Sequence, residues 1–173
     1  MKPYESPWMD DDLRMLREAV SRFVETEMLP QEPRWRAEHR VDYETWRAVG
    51  EAGFLLMDVP SEYGGGGGDF RHESVLYEEL ARRGISGFGQ GVHSIAAHYV
   101  LNYGSEEQKQ RWLPRMASGE LVGAIAMTEP GAGSDLKGIR TKAVRDGDHY
   151  VVNGSKIFIT NGGSAGLLML VVR

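Results

Sequence analysis

The apolar positions follow two different periods along the chain. From Leu13 they recur at helical spacing, and after Gly119 they alternate or gather in short blocks. Residues 1–9 read as an irregular lead-in. Leu13, Leu16, Val20, Phe23 and Val24 stripe a first helix, with Asp10 or Asp11 at its cap and Pro30 at its end. Pro33, Trp35 and the charged stretch to Arg40 read as a connection. Asp42 caps a second helix that carries Trp46 and Val49 and stops at Gly53. Phe54 to Met57 is an apolar block suited to the core. Phe70 to Arg83 is a third helix, with Val75, Leu76 and Leu80 inward and Gly84 as its stop. A fourth carries Val92, Ile95, Ala96, Tyr99 and Val100 and ends at Gly104. Ser105 and Gln108 form a capping box for a shorter fifth, which carries Trp112 and Leu113 and is interrupted at Pro114.

Beyond Gly119 the pattern is that of strands. Leu121 to Met127 is the first. Ile139 to Arg145 and His149 to Asn153 pair as a hairpin across Asp146-Gly147-Asp148. Lys156 to Thr160 and Leu167 to Val172 are further strands, separated by a turn at Asn161-Gly162-Gly163. The change of period places a boundary near residues 118–120. It separates an all-α domain, 1–119, from the start of an antiparallel β domain, 120–173, in a multi-domain α+β protein.

Composition narrows the function. The net charge is −5, so no basic surface for nucleic acid is expected. There is no cysteine, which removes disulfides, thiol chemistry and cysteine metal sites. The longest apolar run, Leu167 to Val172, is far short of a membrane span. The first residues show no apolar targeting segment, and the expected location is cytoplasmic. Gly64 to Gly68 invites a phosphate-loop reading, but no Lys-Ser/Thr follows, and a flexible connection is expected instead. Glu78 and Glu79 point to different helix faces and read as solvated rather than as a catalytic pair. His93 and His98 lie off the spacing that sets two metal ligands on one helix face, and packing or surface roles are expected for both.

Two stretches carry the candidate chemistry. In Thr128-Glu129-Pro130-Gly131-Ala132-Gly133-Ser134-Asp135, Pro130 draws Glu129 out of helical geometry, and Gly131 and Gly133 permit positive φ and a close approach to the backbone. Exposed N–H groups flanked by the hydroxyls of Thr128 and Ser134 suit an anion or the polar edge of a ring, although a plain turn fits the same residues. In the second stretch, strand alternation sets Lys156, Phe158 and Thr160 on one face and Ile157 and Ile159 on the other. An aromatic ring beside a hydroxyl suits a planar heteroaromatic ligand, although a half-buried strand fits too.

Together these stretches resemble the acyl-CoA dehydrogenase family. Ala126-Met127-Thr128-Glu129-Pro130-Gly131-Ala132-Gly133-Ser134-Asp135-Leu136-Lys137-Gly138 matches the family's first signature throughout. Asn153-Gly154-Ser155-Lys156-Ile157-Phe158-Ile159-Thr160-Asn161-Gly162 is similar to its second flavin-contacting segment. Pro60-Ser61-Glu62-Tyr63-Gly64-Gly65 and Tyr103-Gly104-Ser105-Glu106-Glu107-Gln108 fit as well, so the resemblance covers nearly the whole chain. Gly123-Ala124-Ile125-Ala126 and Phe158, where many members have Trp, are closest to the long-chain branch.

The resemblance implies a helical domain, a middle β domain and a C-terminal helical bundle, with FAD between the last two. It places Ile125, Met127, Thr128, Gly133, Ser134, Phe158 and Thr160 at the flavin. Thr128 would lie at the pyrimidine side, Phe158 on the isoalloxazine and Thr160 near N5, with Ser134 also touching the acyl-CoA. The helix from Val92 to Tyr103 would line the acyl tunnel. The implied reaction is α,β-desaturation of an acyl-CoA thioester, with hydride passing to FAD and then to an electron-transfer flavoprotein or similar acceptor. The family's base is a Glu of the bundle, beyond Arg173, so no catalytic residue is expected here and Glu129 reads as structural. A homotetramer and a role in fatty-acid metabolism are implied for the whole protein, and no catalysis for residues 1–173 alone. An acyl-CoA oxidase of the same fold, and a non-catalytic helical module that binds acyl chains or a partner, are the competing readings.

Overall fold

The structure, a computed structural model, describes residues 5–173. The first four residues of the expected lead-in lie outside the described residues. Asp10 caps α1 (Asp11–Phe23), its side chain accepting from the Leu13 amide at 2.9 Å. Helical backbone continues past Phe23 through a π turn, Val24–Met28, and a 3₁₀ turn, Leu29–Gln31, into α2 (Glu32–Glu38). Pro30 therefore does not end the helix, because the wider π turn and the short 3₁₀ turn absorb it. The expected connection is a helix with Pro33 in its first turn, where the missing N–H costs nothing. Trp35 fixes this helix: its ring is buried and its Nε1 donates to Asp42 at 2.8 Å. Asp42 in turn caps α3 (Tyr43–Glu51) by accepting from the Thr45 amide.

Phe54 to Met57 is buried as expected. Gly64 to Gly68 is not a flexible connection. The amides of Gly65, Gly66, Gly67 and Gly68 donate to the carbonyls of Pro60, Leu56, Val59 and Met57 at 3.3, 3.1, 2.9 and 2.9 Å. A Cβ on Gly65 would lie 2.2 Å from the Val59 carbonyl oxygen, so only glycine lets the two backbones meet. α4 (Phe70–Arg82) ends at Gly84, whose φ is 70°. α5 (Gln90–Tyr103) buries Gln90, His93, Ser94, Ala96, Ala97 and Val100, while Ile95 and Tyr99, expected inward, are exposed. α6 (Glu106–Ala117) begins at the expected capping box and runs on through Pro114. Buried Leu113 and Met116 on either side of Pro114 hold that last turn in place.

Four strands follow: β1 (Gly123–Ala126), β2 (Lys142–Asp146), β3 (His149–Asn153) and β4 (Leu167–Leu170). β2 and β3 form the expected antiparallel hairpin around Gly147-Asp148, with Gly147 at φ 59°. β1 and β4 pair in parallel, Gly123 opposite Leu167. The strands are shorter than their apolar blocks: Leu121 and Val122 are buried among helices, although the Val122 carbonyl still accepts from the Gly166 and Leu167 amides. One core cluster joins α1, α3 and α4; a second joins α5 and α6 to Leu121, Ile125, Leu167 and Met169. The small parallel sheet thus lies directly on α5. Among the described residues no helix is long and apolar enough to cross a membrane.

Candidate functional site

β1 delivers the chain into the first candidate loop. The amides of Glu129 and Ala132 each donate to the other residue's carbonyl, at 2.9 and 3.1 Å, which closes a turn over Pro130-Gly131. Gly131 and Gly133 do not use the positive φ open to them, and the mutual pair reverses the chain. A Cβ on either would meet nothing within 4 Å, so the outer side of the loop is open to a neighbouring group. Ile125, Met127 and Thr128 are half-buried, whereas Gly133 and Ser134 are exposed.

The second stretch is not a strand. Residues 154–159 are irregular, and Phe158 takes a left-handed backbone, φ 56°, and is 89% exposed. Positive φ at an aromatic residue breaks the pleat, so the alternation that would set Lys156, Phe158 and Thr160 on one face does not form. Lys156 instead turns inward. Its Nζ donates to the Met127 carbonyl and to the Glu129 carboxylate, both at 2.9 Å, and the Ile157 amide donates to the Thr128 carbonyl at 3.0 Å. These bonds join the two signature stretches side by side. Among the described residues the hydroxyls of Thr128, Ser134 and Thr160 have no hydrogen-bond partner.

Glu129 is the hub of this arrangement. Besides Lys156, its carboxylate accepts from the amides of Arg140 and Thr141, at 2.6 and 2.9 Å. The bond from Lys156, then Thr141 and the Arg140 amide, draws its pKa down to about 2. A carboxylate so satisfied is a poor proton acceptor, and its environment is that of a structural anchor.

Two buried carboxyls escaped the sequence reading. Glu73 is fully buried on α4, where its carboxyl accepts from the Met57 amide at 2.8 Å and from the Gln90 side chain. Burial, then the nearby Asp58 carboxylate, pushes its pKa up to about 7. Its position three and seven residues before Leu76 and Leu80, on the apolar stripe of α4, was the available signal. Glu79, expected on a solvated face, is buried and paired with Arg83 at 2.6 Å. His93 has the packing role expected. Its Nδ1 accepts from the Gly123 amide at 3.0 Å and its Nε2 faces the Met116 carbonyl at 3.2 Å. His98 faces Asp58 at 3.2 Å. Among the described residues no group of His, Asp or Glu could hold a metal.

Comparison with known proteins decides the family. Residues 10–120 match the family model "Acyl-CoA dehydrogenase, N-terminal domain". The chain belongs to the acyl-CoA dehydrogenase family. Residues 124–173 match the model for the middle domain of the same family. The long-chain specific acyl-CoA dehydrogenase of Sus scrofa is 42% identical over 158 residues, covering 91% of this chain and 37% of the relative. The isovaleryl-CoA dehydrogenase of Bos taurus is 37% identical, covering 95% and 40%. Among solved structures, an acyl-CoA dehydrogenase from Geobacillus kaustophilus superimposes with a TM-score of 0.93 at 44% identity, covering 98% of this chain and 45% of that one. An acyl-CoA dehydrogenase from Bacillus anthracis, complexed with FAD, gives 0.90 at 33% identity, covering 98% and 30%. A structure described as an electron transferring flavoprotein of Acidaminococcus fermentans gives 0.81 at 37% identity, covering 93% and 43%. The chain thus spans about two fifths of the length of the curated relatives it matches.

Proposed function

We propose that these residues are the helical domain, 1–119, and the start of the middle β domain, 120–173, of a flavin-dependent acyl-CoA dehydrogenase. The observation that carries this reading is the union of the two signature stretches through Lys156, Met127, Glu129, Ile157 and Thr128. It creates one surface on which backbone and hydroxyl donors from both stretches can meet a single ligand. Three features fit a flavin there. Thr128, Ser134 and Thr160 carry hydroxyls without a partner among the described residues. The space outside Gly131 and Gly133 is open. The exposed Phe158 ring offers an apolar face to a planar group.

In this reading Ile125, Met127, Thr128, Gly133, Ser134, Phe158 and Thr160 hold FAD, and Ser134 also touches the acyl-CoA. When bound, FAD supplies the hydride acceptor for α,β-desaturation of the thioester. The residues of this chain orient and pack; they do not move the α proton. Glu129 is held ionised by Lys156 and two amides, so the base is assigned to the part of the protein beyond Arg173. An electron-transfer flavoprotein as acceptor, a homotetramer, a place in fatty-acid metabolism and a cytoplasmic location belong to the same proposal. The acceptor is supported by the likeness to the Acidaminococcus structure, and a reducing compartment agrees with the absence of cysteine.

Thr160→Val tests the assignment in a flavin-loaded protein that contains these residues. Removing one neutral hydrogen bond weakens flavin binding by about 1 kcal/mol, or lowers turnover to match. Unchanged flavin affinity, spectrum and turnover would remove Thr160 from the site.

A further inference from the structure

Residues 156–161 are fastened at both ends and strained between them. At one end Lys156 donates to the Met127 carbonyl and the Glu129 carboxylate, and Ile157 donates to the Thr128 carbonyl. At the other, Asn161 has a left-handed backbone, φ 63°, and its Nδ2 donates to the carbonyls of Gly89 and Gly123, at 2.9 and 3.1 Å. Gly89 caps α5 and Gly123 opens β1, so one side chain ties this segment to both domains. The fit is close: a Cβ on Gly89 would lie 2.2 Å from the Asn161 side-chain oxygen and 2.7 Å from Cγ2 of Thr160. The Ser164 carbonyl, just beyond, accepts from the Tyr43 hydroxyl at 2.9 Å.

Between these anchors Phe158 is left-handed and its ring stands out of the surface. An aromatic residue leaves that region at small cost if its neighbours are free, and it persists only where the surroundings over-determine it. Among the described residues Phe158 makes no hydrogen bond or ring contact of its own, and the recorded bonds lie on either side of it, at Lys156, Ile157 and Asn161. We propose that Lys156 and Asn161 are positioning residues, which hold the segment taut and set the Phe158 ring and the Thr160 hydroxyl at fixed height and direction for the flavin. The inference rests on the flavin reading above. It goes beyond it by assigning a function to two side chains that touch no flavin themselves. Within residues 156–161 the Ile157 amide bonds across to the Thr128 carbonyl, and just beyond them the amides of Gly162, Ser164 and Ala165 close a turn onto the carbonyls of Ile159 and Asn161.

Two measurements test it. The first needs no flavin and uses this chain. Amide hydrogen exchange is compared for the parent, Lys156→Met, Lys156→Arg and Asn161→Gly, the last keeping the left-handed backbone while removing both donated bonds. Exchange at Ile157 rises about tenfold in Lys156→Met and exchange at Gly162 and Ala165 rises similarly in Asn161→Gly, while amides of α5 and α6 keep their rates. Lys156→Arg restores most of the protection. The second uses the flavin-loaded full-length protein. Lys156→Met and Asn161→Gly shift the flavin reduction potential and visible circular dichroism, and kcat falls about ten- to a hundredfold with little change in KM. Unchanged exchange in both variants overturns the anchoring. Altered exchange with the parent potential, dichroism and kcat overturns the positioning role. If the parent takes up no flavin, the flavin reading fails, and with it the positioning role, while the exchange data still decide whether the anchors exist.

Discussion

Glu73 and Glu129 are both buried carboxyls, yet their surroundings drive their ionisation in opposite directions. Glu73 has a folded pKa raised to about 7, first by burial and then by Asp58. The unfolded chain ionises it near 4.5, so as pH rises from there the folded state alone keeps the proton, and stability falls until about pH 7. The shift corresponds to a cost on the order of 3 kcal/mol at neutral pH. Glu73→Gln should remove it, because an amide can still accept from Met57 and can donate to the Gln90 Oε1, which is buried without a partner. Urea melts at pH 5 and pH 7.5 should show the variant gaining on the parent only at the higher pH. A variant equally destabilised at both would mean that Glu73 is ionised in the fold. Glu129 runs the other way. Its pKa is lowered to about 2, so its stabilisation is complete above about 4.5 and is lost as pH falls toward 2. His93, lowered to about 4 by burial, adds to the acid loss from about pH 6.5 downward, where it opposes the gain from Glu73. Glu129→Gln in a catalytically competent protein should keep turnover within about tenfold, since removing a true general base costs about 10²–10⁴. At this scale the proline that follows Glu129 marked it as part of a turn, and the turn is there. The stripe of Leu76 and Leu80 could have marked Glu73 as buried, but not its partners Met57 and Gln90, which are set by the neighbour that covers that face.

The elements divide by how local their causes are. Caps at Asp10, Asp42 and Ser105, the stop at Gly84 and the Gly147 turn were all legible, since each depends on a few adjacent residues. The glycine run and residues 156–161 were not. Both are held by bonds to distant backbone, which no periodicity records. Two variants expose those tertiary bonds. Gly65→Ala forces a Cβ against the Val59 carbonyl and should cost about 3 kcal/mol, read as a lower urea midpoint with an unchanged slope. A neutral result would mean that the run is free to move. His93→Ala strands the Gly123 amide and empties a filled space, and should cost roughly 3 kcal/mol. The loss should appear first as faster exchange across β1 and β4, because His93 is the link from α5 and α6 to the start of that sheet. Uniform loss across all helices would place the histidine's role elsewhere.

Over the whole molecule the helical part carries most of the buried surface, while the β part presents much of its apolar area to solvent. Ile95, Tyr99 and Tyr103 on α5, Leu168 and Leu170 on β4, and Val144, Tyr150, Val151 and Val152 on the hairpin are all exposed. Exposed apolar area of this extent suits contact with further protein. The length of the relatives fits that, since the chain matches only about two fifths of them. The order of domains and the family were legible because one long signature is present throughout and a second is closely similar. The course of the second signature was not, because a left-handed phenylalanine cannot be read from a strand-like word. In the proposed reading these residues hold half of a flavin site, and the base lies in the rest of the protein. Anaerobic titration with FAD, followed by a saturated acyl-CoA, tests this most directly when run on residues 1–173 and on a full-length form side by side. The full-length form should bind FAD tightly and its flavin absorbance should bleach on adding the thioester. Residues 1–173 should bind FAD weakly or not at all and should not bleach it. Tight stoichiometric FAD with bleaching by residues 1–173 alone, or a full-length form that takes up no flavin, would contradict the account.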